Sequence, residues 1–532
     1  MKETSFTKYK NAIKALPREV FNRQLFLTAF TFALCGCPKG WDEGSAASIT
    51  QLQSFKRQYD LDSELDSETI ENLVSFVNIG AGGGAFLSFF LNDKLGRKQS
   101  MRLYQTIYII GALVSCFSYG SVGALYFGRI FAGLGIGACT VVGPMTLAEI
   151  APKTIRGFMT LWFNMAMLLG QGLGIFVVYG CSVHISGALD LQYQVPWFVQ
   201  TFAPFIGIVC SFFIVESPRW LAIRCREGEA LAALCTLRGL PADHPTILEE
   251  HSHIVHTVED EGRHIGSNGF LAVVKETFLV RSNFRRVQLT VIAYILAQFS
   301  GANSVTNYLP TIFGLIGVTG RNTKIYSSGL YAVAKLVCTI AASLFFVDMM
   351  GRRKSLLIGV TVQMFCHSYL TGYLNVFRSE GNSIPKSASD AAIAAIYVHA
   401  FGWAVGLYTL PYLFGAELWP NRIRSFGGAL SQCFHWLFYF AITKATPSLL
   451  RSMDVWGAFM FFVGWCIIAL VYTFFFVPET SGLSLDDMDI IFSRPIYKMR
   501  HPLSASGNDI EKSVGEKDHI SADSGHVENA KR

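Results

Sequence analysis

Twelve long apolar stretches, separated by shorter polar or charged segments, organise the chain. They lie at about 25–45, 70–91, 103–121, 124–147, 159–180 and 197–216. A charged interval, 217–286, separates these from six more at about 287–315, 325–347, 355–374, 390–415, 425–447 and 456–477. A membrane-crossing helix takes roughly 20 apolar residues. The pattern therefore predicts an all-α membrane protein of twelve transmembrane helices in two six-helix bundles, 25–216 and 287–477. Residues 1–24 form an N-terminal tail, 217–286 a central loop that is partly helical, and 478–532 a polar, mostly disordered tail.

The polar segments orient this arrangement. Lys94, Arg97, Lys98 and Arg102 follow the second stretch, Arg352, Arg353 and Lys354 the eighth, and Arg422 and Arg424 the tenth. The loop after the first stretch is acidic, with Asp60, Asp62, Glu64, Asp66, Glu68 and Glu71. Basic loops stay in the cytoplasm, so both termini are expected there. Only 15% of residues are charged against 51% hydrophobic, too few charges to cover a soluble surface. The net charge of +6 has no basic patch interleaved with aromatics, and nucleic acid is not an expected partner. Most of the twelve cysteines lie in apolar runs, as small apolar residues. Cys35 and Cys37 lack a second ligand pair for zinc. His251, His253 and His256 are read as one solvated helix face rather than a metal site. No cofactor is expected: Gly133, Gly135 and Gly137 suit close helix packing, and no phosphate-binding loop is present to support transport driven by ATP.

The two sets of six repeat one another. Asp93, Gly96, Arg97 and Lys98 recur as Asp348, Gly351, Arg352 and Arg353; Glu149 and Arg156 recur as Glu417 and Arg424; Val215 to Pro218 recurs as Val477 to Thr480. The offsets are 255, 268 and 262 residues. Two related halves rocking about a central site is the transporter design this implies.

These residues resemble the sugar porter family of the major facilitator superfamily over about 25–490. The resemblance rests on Gly40-Trp41-Asp42-Glu43-Gly44, Asp93 to Lys98, Gly128-Arg129, Glu149 to Arg156, Glu216 to Leu221, Gln298 to Pro310, Asp348 to Arg353, Glu417 to Arg424 and Pro478 to Leu485. Within the family the chain is similar to a fungal, quinate-permease-like branch through Val195-Pro196-Trp197, Tyr331 to Lys335 and Ala445-Thr446-Pro447. The resemblance implies a transporter rather than an enzyme. Its expected partners are a small sugar or sugar acid, protons and the lipid bilayer. It is expected to work as a monomer in the plasma membrane.

Asp42 lies deep in an apolar run, where a carboxylate is costly unless paired or protonated. Arg129 is a plausible partner, and the resemblance implies that the two form the proton-coupling pair. The alternative is that Asp42 only packs a kink beside Gly40 and Gly44. Gln171, Gln298 and Asn303 offer amides, which suit a polyhydroxy ligand or hydrogen bonds between helices. The resemblance implies sugar contacts here. This sequence departs from the family at Ala297, Asn307-Tyr308, Tyr412 and His435-Trp436, which weighs against a standard hexose. Lys335, about 20 Å from the Asp348 end of its helix at 1.5 Å per residue, either meets a substrate carboxylate or snorkels outward. Lys444 is expected to snorkel.

Asp93, Arg97, Glu149, Arg156 and Glu216, with Asp348, Arg352, Glu417, Arg424 and Glu479 in the repeat, are expected to form gating ion pairs that hold the halves together. Phe89 stands where the motif usually has a glycine, so the second helix is expected to pack less closely. The expected activity is proton-coupled symport of a monosaccharide or sugar-like polyhydroxy acid. Alternatives are a facilitator or a nutrient sensor on the same fold.

Overall fold

A computed structural model describes residues 17–61, 68–152, 155–265, 269–342, 350–380, 386–408, 418–420, 423–479 and 491–492. The described residues are helices and their connections, with no strand among them. Seven described helices are long and apolar enough to cross a membrane on length and composition. The other spans are interrupted or carry more charge, and several run past their apolar cores, as Arg352–Glu380 does.

Local chemistry shapes the first span. Asn22 caps it, its side chain accepting from Leu25 N at 2.8 Å. The helix Arg23–Ala33 passes through a tighter turn at Leu34–Gly36 and resumes as Cys37–Ile49, with Pro38 in its first turn. Proline has no N–H to give and is tolerated there. The second to sixth spans are Glu68–Leu95, Arg97–Cys116, Val122–Ile150, Arg156–His184 and Leu191–Phe213.

The seventh span is not continuous. It runs Arg281–Phe299, turns at Gly301 (φ 87°), and continues as the short helices Ala302–Asn307 and Leu309–Leu315. The eighth is Arg321–Ala341, the ninth Arg352–Glu380, and the tenth Lys386–Trp403 extended to Tyr408. The eleventh is Arg424–Ser452 and the twelfth Trp456–Phe476.

Packing repeats with the sequence. First packs on fifth, second on fourth and third on fourth; seventh packs on eleventh, eighth on tenth and ninth on tenth. Each pair maps onto its counterpart six spans later. The halves meet along two seams, second against eleventh and fifth against eighth, which the same repeat exchanges. The second and fourth spans approach closely because a Cβ on Gly133 or Gly137 would land on the carbonyl oxygen of Val77 or Ala81. Phe89 fills space instead: its ring lies 5.5 Å from Phe426 of the eleventh span and 5.9 Å from Phe270.

The central segment folds as the helices Pro218–Ile223, Glu227–Arg238, Pro245–Ile265 and Gly269–Leu279. Arg238 anchors it. Its guanidinium donates to Ile150 O at 2.8 Å and to both Glu250 oxygens at 2.6 and 2.9 Å.

Candidate functional site: a polar cavity at the seam of the halves

Asp42 and Arg129 face each other inside the first half. Both terminal nitrogens of Arg129 donate to Asp42, Nη1 to Oδ1 and Nη2 to Oδ2 at 3.0 Å. Nε donates to Leu73 O at 2.7 Å, and the guanidinium lies 5.3 Å from the Trp197 ring centre. Arg129 is 1% exposed and Asp42 6%. A planar fork that satisfies a carboxylate with two parallel bonds is the strong form of this pair. It ties the fourth span to the first, second and sixth.

The next residue, Glu43, projects about 100° round the same helix and lines a different space. That cavity is walled by Lys39 and Glu43 from the first half and by Tyr294, Ala297, Gln298, Asn303, Lys335, Trp403, Leu407, Tyr408 and His435 from the second. A polar chain crosses it. Lys39 Nζ is 3.7 Å from Glu43 Oε1 and 3.3 Å from His435 Nε2. His435 Nδ1 lies 2.9 Å from the Gln298 amide, and Gln298 lies 2.6 Å from the Asn303 amide. An ammonium can only donate. While Lys39 is charged, His435 Nε2 accepts, Nδ1 carries the ring proton, and Gln298 must turn its oxygen to it, so the two amides take their orientation together.

The structure brings Gln298, Asn303, His435 and Lys335 together on this wall. Lys335 is 1% exposed, 6.0 Å from the Tyr408 ring centre, and does not snorkel. Trp436 sits behind: Lys39 Nζ is 4.8 Å from its ring centre, and its Nε1 donates to Thr140 Oγ1 at 3.4 Å. Asn307 and Tyr308 are outside the lining. They pin the broken seventh span to the eleventh, through Thr443 Oγ1 at 3.2 Å and Thr443 O at 3.1 Å. Gln171 also stands apart, buried against the first span, its Oε1 without a hydrogen bond. Tyr412 lies outside the described residues. Lys39, Glu43, Tyr294, Trp403 and Tyr408 were not singled out from the sequence as ligand residues. A lysine and a glutamate four apart inside an apolar run was the available signal for the first two.

The motif residues form two separate clusters. Arg97 donates to Glu149 from Nε at 3.0 Å and Nη2 at 2.8 Å, and to Asp93 from Nη1 at 2.9 Å. Glu216 accepts from the backbone N–H groups of Arg97 and Lys98, both at 3.1 Å, a carboxylate placed at the start of the third span. Glu479 does the same for Arg352 and Arg353 at 2.9 and 3.2 Å. Gly96 and Gly351 make these turns possible, both at φ 90°. The bonds of Arg97 given above join parts of the first half, and those from Glu479 to the Arg352 and Arg353 N–H groups join parts of the second. Arg156 is exposed and has no ion pair among the described residues. Asp348 and Glu417 lie outside those residues, as does the side chain of Arg424.

Ion pairs between the halves lie at the opposite end of the second span. Glu71 accepts from Arg451 Nη2 at 2.5 Å and from Lys444 Nζ at 3.3 Å, and Lys444 also reaches Asn72 Oδ1 at 2.6 Å. Lys444 is thus held by Glu71 and Asn72 rather than snorkelling. On the other seam, Ser182 Oγ donates to Asn322 Oδ1 at 2.7 Å.

Two repeated helical bundles, sealed by apolar faces and enclosing a polar cavity, define a multi-pass membrane transporter and not an enzyme. The chain belongs to the Sugar (and other) transporter family, whose sequence profile matches residues 28–492. It is 31% identical to the probable quinate permease of Aspergillus flavus over 528 residues, 97% of this chain and 96% of that protein. It is 30% identical to the quinate permease of Emericella nidulans over 490 residues, 90% and 91% of the two chains. The fold is that of the major facilitator proton:xylose symporter XylE bound to 6-bromo-6-deoxy-D-glucose, with a TM-score of 0.73 at 20% identity, covering 88% of this chain and 99% of that one. The inward open xylose transporter XylE from E. coli aligns with a TM-score of 0.69, also at 20% identity.

Proposed function

We propose that the protein is a proton-coupled symporter that moves a monosaccharide or a sugar-like polyhydroxy acid by alternating access. The observation that carries this reading is the buried pair of Asp42 with Arg129 one residue from Glu43, which lines the polar cavity. One turn of the first span thereby touches both a protonatable carboxylate and the solute space. Protonation removes the charge that holds Arg129 and frees that turn to follow the solute. A buried carboxylate paired with an arginine is the type of group that carries protons through a membrane. The names of the relatives, quinate permeases at about 30% identity over most of the chain, support a polyhydroxy solute.

In this reading Gln298, Asn303, His435 and Lys335 contact the solute, with Trp436 behind His435. The clusters of Arg97 and Arg352 mark the cytoplasmic end, the transporter works as a monomer, and the membrane is the plasma membrane with both termini inside. The test is uptake by a yeast host lacking its own carriers, with and without an uncoupler. Wild type is expected to concentrate solute and to lose that ability with the uncoupler. Asp42→Asn is expected to equilibrate solute without concentrating it. Uncoupler-sensitive accumulation by Asp42→Asn would overturn proton coupling through this residue.

A further inference from the structure

The cavity carries more positive charge than a neutral sugar needs. Lys39 of the first span and Lys335 of the eighth both line it, and Glu43 is the one carboxylate among its described lining residues. With all three ionised the described lining holds one uncompensated positive charge. Lys39 shares Glu43 and His435. Lys335, 1% exposed, has no hydrogen bond or ion pair among the described residues; the Tyr408 ring centre is 6.0 Å away, and Glu43 and Lys39 act on it across the cavity. An ammonium withdrawn from water with no more than a share in one carboxylate across the cavity is a costly arrangement, and it faces the space where solute would sit.

A second observation lies nearer the Glu71 end. A hollow there is lined by Gln51, Gln53, Lys56, Arg321 and Lys324, with no carboxylate among its described lining residues. Its residues follow the first span and open the eighth, the same two spans that carry Lys39 and Lys335. At 1.5 Å per residue, Lys335 lies about 17 Å below Lys324 along one helix. Cations thus mark both the rim and the cavity, the arrangement that raises the local concentration of an anion and speeds its entry.

We propose that the protein selects solutes bearing a single carboxylate, whose oxygens bridge Lys39 and Lys335, and that Glu43 holds Lys39 until the solute displaces it. Resting on the transport reading above, this names the solute class. The arriving carboxylate neutralises the cavity, and Lys39 exchanges one anion for another instead of losing one. The hydroxyl-bearing ring is left to the amides of Gln298 and Asn303. Glu43 competes with the solute and also returns Lys39 to its resting place on release.

The test compares uptake of quinate and glucuronate with uptake of their primary amides, which are isosteric and neutral, and of glucose, with surface abundance measured for every variant. Wild type is expected to favour each acid over its amide at least tenfold in KM. Lys335→Met and Lys39→Met should abolish that preference by raising KM for the acid, while Lys335→Arg retains it. Glu43→Gln should lower KM for the acid severalfold and leave the amide unchanged. If Lys39→Met does not reach the membrane, the two Lys335 variants decide. Equal KM for acid and amide in wild type, or a preference that survives Lys335→Met, overturns the proposal. Uptake of glucose alone overturns it while sparing the transport reading. Uptake of none of these solutes overturns both.

Discussion

The Asp42–Arg129 pair makes an asymmetric prediction. Removing one member of a buried ion pair costs about 3–5 kcal/mol, because the other charge is left without compensation. The two survivors differ in their escape. In Asp42→Asn the guanidinium, 1% exposed, keeps its bond to Leu73 O and one amide oxygen, but arginine cannot shed its proton. In Arg129→Met the carboxyl can neutralise itself by taking up a proton. Doing so at pH 7 costs an ordinary aspartyl carboxyl about 4 kcal/mol, and this bound falls by about 1.4 kcal/mol per unit as pH drops. Arg129→Met should therefore recover stability between pH 7 and 5, while Asp42→Asn stays equally destabilised. The double variant should lose much less than the sum of the two. Unfolding of the detergent-purified protein, followed by intrinsic tryptophan fluorescence over that pH range, reads all three. Parallel pH profiles for the single variants, or additive losses in the double, would refute the reasoning.

The remaining predictions concern the seams and the capped turns. Glu71→Gln releases Lys444 and Arg451, which are about one-third exposed, so the discounted loss is about 1 kcal/mol, roughly a fivefold shift toward separation at that end. Spin labels at Ile70 and Ser448 should show a longer-distance population, and an unchanged distribution would count against the clamp. Gly137→Leu forces a side chain onto the Ala81 carbonyl; overpacking of this kind costs about 1–3 kcal/mol, and yield of folded protein should fall, whereas Gly123→Ala, with open space around it, should be silent. Burial pushes the Glu216 carboxyl above its ordinary value, against the backbone N–H groups that lower it. The folded state then holds that proton longer than the unfolded one, so this group's contribution declines as pH rises from about 4.5 through the raised value. Glu216→Gln should remove that part of the pH dependence of thermal unfolding; an unaltered slope would contradict it.

Much of the fold was legible because it is written in local terms. The apolar runs became helices, and the repeated Asp-x-x-Gly-Arg motif became two turns with the same glycine dihedral and the same type of carboxylate cap. The break in the seventh span was not read, although the stretch Gln298 to Pro310 interrupts the apolar run with Gly301, a proline and a cluster of amides and hydroxyls. The site divided along the same line. Asp42 and Arg129 announce themselves as charges in apolar surroundings. Lys39 meets the same criterion, but its significance comes from His435, 396 residues away. Glu71 and Lys444 are 373 residues apart, and only the packing of the second span on the eleventh shows that a residue expected to reach for water is held by a carboxylate. The partners of Arg97 were hard to assign for the converse reason. Spacing shows that a motif recurs, but not whether its partners sit across a boundary or beside it.

The two seams are related by the repeat, yet they are not chemically equal. One ends in a carboxylate held by two cations; the other is bridged by a hydroxyl and an amide. A door with a bolt on one edge and a plain hinge on the other swings in only one direction. The second and eleventh spans should part like the bolted edge, pivoting on the fifth and eighth, and dissolved salt, which weakens charged contacts far more than neutral ones, should ease that movement at one edge alone.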